Sequence, residues 1–435
     1  MAVQANRKLN RKVAPAVKDA KEFELELPPY VRYTLSNGVE VYAIDLGKVD
    51  AMMVSWIFDA GNSYETGKGV AAAANSLLKN GTTTRKAFDI SEHFDYYGAY
   101  LSRACHHETA ELTLHCLNLH FQELVPVVAE LLTESVYPGE ELAIYKKNAQ
   151  QRLQVNLKKS DFVAGRLIDS YLYGETHPYG RFNMPEDYQA LDREALVAYY
   201  RRYYQSGACR IIAAGKLPGD LIPLLEKYFG PLPLGKPAVG DEAPFFPIVA
   251  AGQKKYRVTN DPDGVQGSIR IARNFPNRHH PDFQRVQVLN NVFGGFFGSR
   301  LMTNIREDKG YTYGIYSYLV NNRQESALMI STEAGKEVAE AAIGEVYKEM
   351  NLLREELIDE EELQMARNFA IGTVLGDLDG PFHVASRWKS ILLNGLDENY
   401  FREGIRIVKT ITPEELRELA VKWLDPAAFF ELVVV

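Results

Sequence analysis

Leu191 to Gly215 and Ile411 to Val435 run against each other without a gap, and this repeat constrains the fold more than any other feature of the chain. Each copy opens on a residue suited to cap a helix, Asp192 or Thr412, with an acidic residue in the following turn. Each continues as an amphipathic helix, with Leu196, Tyr199 and Tyr203 in one copy and Leu416, Leu419 and Trp423 in the other. Both then turn into an apolar strand. A second pair, Glu141 to Ala149 and Glu362 to Ala370, matches at nearly the same offset. Two matches at one offset predict a duplicated domain.

Proline and glycine in the segment from Gly230 to Pro244 exclude regular structure and set the expected boundary. The predicted organisation is an N-terminal extension over 1–26, a first domain over 27–229, a linker over 230–250 and a second domain over 251–435. Strand-like runs (Tyr30 to Ile44, Met52 to Phe58, Ala110 to Leu117, Lys255 to Val258, Ile269 to Ala272, Ala327 to Thr332) alternate with long helical segments. That pattern predicts the α+β class, an antiparallel or mixed sheet backed by helices in each half.

With 435 residues, 46% hydrophobic and 24% charged, the chain has the composition of a globular protein of two or three domains. A net charge of −8 gives no electrostatic reason to expect nucleic acid or an anionic membrane as partner. No segment approaches the roughly 18 uninterrupted apolar residues of a membrane span. Cys105, Cys116 and Cys209 are odd in number and unmotivated in spacing. They read as free thiols in a reducing, cytoplasmic compartment. The basic N-terminus lacks the apolar run of a secretory signal, although a trimmed export signal would leave the same picture.

The stretch Phe58-Asp-Ala-Gly-Asn-Ser-Tyr-Glu65, then Gly69 and the closing Gly81-Thr82, frames an alanine-rich helix. The frame resembles that of the zinc helix in the M16 metallopeptidases (insulinase, pitrilysin, mitochondrial processing peptidase). There the helix carries H-x-x-E-H, two zinc-binding histidines and a glutamate base. The matching positions here are Ala72, Asn75 and Ser76. A third family ligand, a glutamate from a later helix, falls in Lys146 to Leu153 at Gln151, within a stretch without a carboxylate. An alanine methyl cannot ligate, an asparagine amide cannot act as base, and a serine hydroxyl replaces imidazole poorly. The resemblance therefore implies two homologous M16-type domains with a degenerate zinc site.

In the second half, Gly294-Gly-Phe-Phe-Gly-Ser-Arg-Leu301 leads to Arg306 and, seven residues on, Tyr313. The segment resembles the M16 C-terminal signature, in which such a pair hydrogen-bonds the substrate carbonyl and the oxyanion formed during attack. The resemblance gives Arg306 and Tyr313 as the catalytic pair and Gly294, Gly295 and Ser299 as substrate-binding. Locally, Arg306 is expected near the end of a helix starting around Ser299, and Gly310 can adopt the left-handed cap. Strand alternation from Tyr311 to Leu319 would set Tyr313 on the same face as Ile315.

A pair retained beside a failed zinc half implies a heterodimer with a zinc-bearing M16 subunit, or a homodimer in its absence. This chain would hold no cofactor, zinc would sit in the partner, and the substrate would be a peptide. The alternative is an M16-like structural subunit of the kind found in respiratory complexes. A third is an independent enzyme using the histidines of Cys105-His-His-Glu108, His115 and His120, but alternation points His106 and His107 to opposite faces. The glycine run lacks the lysine and Ser/Thr of a phosphate loop. His177-Pro-Tyr-Gly-Arg181 reads as structural. Tyr100 to Cys105 should be the edge strand that M16 domains offer to extended peptides, but Ser102 and Arg103 depart from the family's usual Asn-Ala.

Overall fold

A computed structural model describes residues 19–235 and 244–435. The chain runs β1 (Val31–Thr34), β2 (Glu40–Asp45), β3 (Ala51–Phe58), α1 (Val70–Leu77), α2 (Ala87–Tyr96), β4 (Tyr100–Cys105), β5 (Ala110–Leu117) and α3 (Phe121–Glu134). Then come α4 (Gly139–Asn156), α5 (Ser160–Tyr173), α6 (Pro185–Ala190), α7 (Arg193–Tyr200), β6 (Cys209–Gly215) and α8 (Leu221–Phe229). The second half has β7 (Lys255–Val258), β8 (Gln266–Phe275), α9 (Phe283–Asn290), β9 (Thr312–Val320), β10 (Ser326–Gly335), α10 (Ala339–Glu355) and α11 (Glu360–Asp377). It closes with α12 (Pro381–Leu392), α13 (Glu398–Thr410), α14 (Pro413–Trp423) and β11 (Phe430–Val434).

The strands form two mixed sheets, β1-β2-β6-β3-β5-β4 and β7-β11-β8-β10-β9. Apart from the extra β1, the second order repeats the first. In each, a parallel pair (β2 with β6, β7 with β11) is followed by antiparallel neighbours. The repeated caps are present. The Asp192 side chain accepts from the Ala195 N–H, and that of Thr412 from the Glu415 N–H. The Tyr30 to Ile44 run is two strands, because Asn37-Gly38 turns the chain with Gly38 at φ +89° and Leu35 N–H bonded to Val39 O.

Each half covers part of the other's sheet. One face of the first sheet carries its own helices in a core around Trp56, Leu112, Leu124 and Leu196. Its other face is covered by α12 and α13 of the second half, where Ile44, Ile57 and Ile212 meet Val384, Trp388 and Phe401. Reciprocally, α5 of the first half lies on the second sheet, with Ile168 and Leu172 against Met329 and Leu432. Burial on both faces explains why β3 and β6 are nearly continuous apolar runs. The halves are further joined by Trp388 Nε1–H to Pro28 O at 2.7 Å and by Lys389 Nζ with the buried Glu111 carboxylate at 2.9 Å.

On α5, burial pushes the Asp169 carboxyl up to about 7, with the Arg270 guanidinium opposing that rise. A carboxyl raised in the folded state contributes most stability at low pH and loses it as pH climbs from about 4 to about 7. Asp169→Asn is therefore expected to stabilise the fold at pH 8 by about 1–2 kcal/mol and to change little at pH 4. Thermal unfolding midpoints of both proteins across that range check this; equal pH slopes would refute it.

Candidate functional site

Helix α1 starts after Gly69, whose φ of +83° suits glycine. Glu65 holds its first turn, accepting from Ala71 N–H at 2.9 Å while pairing with Arg181 at 2.9 Å. Burial dominates on Glu65 and raises its carboxyl, whereas the Ala71 N–H and the Arg181 guanidinium pull the other way. The His177–Arg181 loop thus fastens the helix start. His177 is buried, and its Nδ1 accepts from Tyr179 N–H.

The four degenerate zinc positions do not form a ligand set. Asn75 is buried and is committed to packing, its Nδ2 donating to Glu111 O at 3.2 Å and to Tyr204 Oη at 3.1 Å. Ala72 and Ser76 are half-buried, and Gln151 on α4 is exposed. Beside them stands a cation that belongs to the protein. Arg103, from edge strand β4, donates through Nη1 to the Ser76 carbonyl, and its Nε is buried without a partner. Burial draws the Arg103 guanidinium below the usual arginine value. Burial and then Arg103 do the same to Lys79, the next charged residue beyond the helix. Amide, hydroxyl and methyl groups beside a desolvated guanidinium do not fit Zn²⁺, which takes imidazole, thiolate or carboxylate.

The stray histidines do not converge. His106 lies 3.7 Å from Glu111, His107 Nδ1 meets Asn62 Oδ1 at 3.2 Å, and His115 Nδ1 is buried without a partner. Among the described residues no group of three His, Cys, Asp or Glu could hold a metal ion. The three cysteines are free, and burial pushes the Cys105 and Cys116 thiols up to about 12.

Arg306 and Tyr313 sit together at the edge of the second sheet. A helix begins at Arg300, close to the Ser299 start expected, and continues through Met302–Asp308 wound as a π-helix with Arg306 near its end, while Gly310 takes the left-handed region at φ +65° as anticipated. Arg306 Nε donates to the Tyr313 carbonyl at 3.0 Å, and its guanidinium lies over the Phe297 ring at 4.7 Å. The sequence placed Tyr313 on the face of Ile315, and the structure corrects that. The register between β9 and β10 shifts so that Tyr313 and Gly314 oppose Glu333 alone. This bulge turns Tyr313 outward, 93% exposed, while Ile315 is fully buried. Among the described residues the Tyr313 hydroxyl has no hydrogen-bond partner.

The glycine run shapes this edge from below. Gly294 is buried where a Cβ would stand 2.7 Å from Ser317 Oγ, so only glycine lets the chain pass beneath β9. Ser299 is buried with its Oγ unpartnered, and Gly295 is half-buried. The two regions singled out in the sequence remain apart. Helix α1 packs on α7, α4 and β4 of the first sheet, whereas Arg306 and Tyr313 belong to the β9 edge of the second. The edges correspond, since β4 and β9 are each the outermost strand next to an antiparallel neighbour. Sequence reasoning marked Arg103 only as a departure from pattern and missed its bond to the end of α1. A charged residue in a strand otherwise alternating toward the core (Leu101, Cys105) was the available signal.

Residues 190–369 match the protein family described as the peptidase M16 inactive domain. An uncharacterized zinc protease of Bacillus subtilis, YmxG, is 24% identical over 359 residues, covering 82% of this chain and 86% of that protein. The crystal structure of a peptidase M16 inactive domain from Pseudomonas fluorescens superposes with a TM-score of 0.84 at 21% identity. The match covers 93% of this chain and 98% of that one. A chain of complex III2 from Candida albicans has the same fold, with a TM-score of 0.72 at 15% identity over 93% and 94% of the two chains. No described helix is long and apolar enough to cross a membrane. Residues 190–369 are thus similar to the peptidase M16 inactive domain, and the chain as a whole has the two-sheet fold of these M16 neighbours.

Proposed function

We propose that this chain is the non-catalytic subunit of a two-chain M16 zinc endopeptidase and lends Arg306 and Tyr313 to peptide held against a zinc-bearing partner. One observation carries the reading. A guanidinium bonded to the Tyr313 backbone carbonyl and an exposed, unpaired Tyr313 phenol turned out by a bulge lie at an open sheet edge, in a chain whose α1 carries no zinc ligand at the matching positions. The partner's zinc would supply the activated water. The Tyr313 hydroxyl and the Arg306 guanidinium, whose Nη1 lies 3.6 Å from the Glu307 carboxylate, would donate to the scissile carbonyl oxygen as it gains charge. Exposed groups on an outermost strand suit a carbonyl presented from another chain, since no other strand covers them.

The test is to isolate the native complex, count its zinc, and assay peptide hydrolysis by each chain and by the mixture. This chain alone is expected to be inactive and zinc-free, and the mixture with a chain bearing intact H-x-x-E-H to cleave peptide. Stoichiometric zinc with hydrolysis in this chain alone would overturn the reading. A stable assembly that never cleaves peptide would favour the alternative of a purely structural subunit, which the fold shared with the complex III2 chain also supports.

A further inference from the structure

The second half contains a half-open cavity of about 380 Å³ lined by α9, α11, α12, α13 and β9. Its walls mix apolar, neutral polar and cationic side chains, with Gln284, Gln287, Asn291 and Asn321 among the neutral polar ones. Val288, Phe369, Val374, Ile391 and Ile405 give it an apolar body, and Arg278 and Arg387 stand together on its lining. Among the described residues that line it there is no carboxylate. Arg387 is already paired, donating to Asp377. Arg278 is not. Its Nη1 donates to the neutral Ser390 Oγ, its Nε is buried without a partner, and no ion pair reaches it among the described residues.

The loop before α9 holds Arg278 in place. Asn277 Nδ2 donates to Arg323 O at 2.8 Å, and Asn277 Oδ1 accepts from His279 N–H at 3.1 Å, so the backbone on both sides is fixed. Burial, opposed by the Tyr400 phenol and helped by the Arg387 guanidinium, holds Arg278 below the ordinary arginine value. A desolvated cation with a second cation nearby lacks a compensating anion.

We propose that this cavity is a binding site for a carboxylate carried on a short apolar body, with Arg278 receiving the carboxylate through its unpaired N–H groups. Guanidinium and carboxylate match as planar forks. The volume is that of about a dozen water-sized groups, enough for a molecule such as octanoate or N-acetyl-leucine. The apolar wall sets the body, and the absence of a lining acid leaves the anion unopposed. Two sources share this chemistry, a medium-chain fatty acid and the free C-terminus of a short peptide. The site is independent of the paired-subunit reading, because binding is read on this chain alone.

The experiment is calorimetric titration of the full chain with octanoate, N-acetyl-leucine, and the neutral controls octanamide and N-acetyl-leucinamide. Saturable binding of at least one acid is expected, with its amide weaker by about tenfold or more and Arg278→Gln reducing the acid's affinity by a similar factor. Preference for octanoate would assign the fatty-acid source, and preference for N-acetyl-leucine the peptide terminus. If Arg278→Gln fails to fold, Val374→Trp fills the cavity from α11 and is expected to abolish acid binding. Failure of both acids to bind at millimolar concentration, equal affinity for acid and amide, or undiminished binding in a folded variant would each overturn the assignment.

Discussion

Replacing Tyr313 with phenylalanine is expected to slow peptide hydrolysis by the proposed pair of this chain and a zinc-bearing M16 subunit by about a hundredfold, without loss of assembly. The expectation rests on where the hydroxyl is and what it does in the free chain. Tyr313 is 93% exposed and its hydroxyl is unbonded, so removing it breaks no internal contact. The ring and the β9 bulge stay as they are. What disappears is a donor aimed at charge that develops on a carbonyl oxygen, a contribution of about 2.7 kcal/mol at the lower end of what such donors have contributed elsewhere. Because the donor acts on the transition state more than on bound peptide, kcat should fall while KM changes little. Arg306→Ala should give a comparable loss and also loosen Tyr313, whose carbonyl it holds at 3.0 Å. Arg306→Lys would keep the charge but not the planar fork, and should restore only part of the rate. Steady-state kinetics of the reconstituted pair, with assembly followed by size-exclusion chromatography, decides the matter. Full activity in Tyr313→Phe would leave the pair a structural feature of the β9 edge.

The duplication was legible because it is written locally. Asp192 and Thr412 cap helices of matching position, and α4 and α11 are both 18 residues long, starting at Gly139 and Glu360. Each of these signals lies within one turn or one helix face. That residues 72, 75, 76 and 151 offer no imidazole, thiolate or carboxylate was equally visible, since it depends on residue types alone. The exchange of α5 and α12 between the halves was not. A helix with one apolar stripe shows that it will be buried but not against which sheet. The bulge at Tyr313 escaped for a related reason, because alternation assumes an unbroken ladder and Gly314 was the only local hint of a break. The turn at Asn37-Gly38 was there to be read, as that dipeptide favours two-residue hairpins, and it would have split the first strand correctly. Arg103 needed coordinates, since its role depends on the distance between a strand and a helix end that lie 27 residues apart.

Restoring the family ligands is expected to fail for that last reason. A variant carrying Ala72→His, Asn75→Glu, Ser76→His and Gln151→Glu together has the right donors, yet it should not retain stoichiometric zinc while Arg103 is in place. The guanidinium is bonded to the backbone carbonyl of residue 76 itself, which fixes a cation next to the residue that would carry the second histidine. Charges of +1 and +2 about 5 Å apart at an effective dielectric constant of about 20 repel by roughly 7 kcal/mol, a large part of a structural zinc affinity. Asn75→Glu adds a second cost. It removes the amide that serves Glu111 O and Tyr204 Oη and puts a carboxylate among groups arranged for a donor. Adding Arg103→Ala, in keeping with the small residue that the family resemblance leads one to expect there, removes the repulsion and should recover zinc binding by several orders of magnitude. Metal analysis after dialysis distinguishes the outcomes without reference to activity. Zinc retained by the four-residue variant with Arg103 intact would show that the guanidinium is only a clamp on the end of α1. Zinc retained only once Arg103 is gone would show that the first half lost its metal site through a fixed internal cation as well as through its missing ligands.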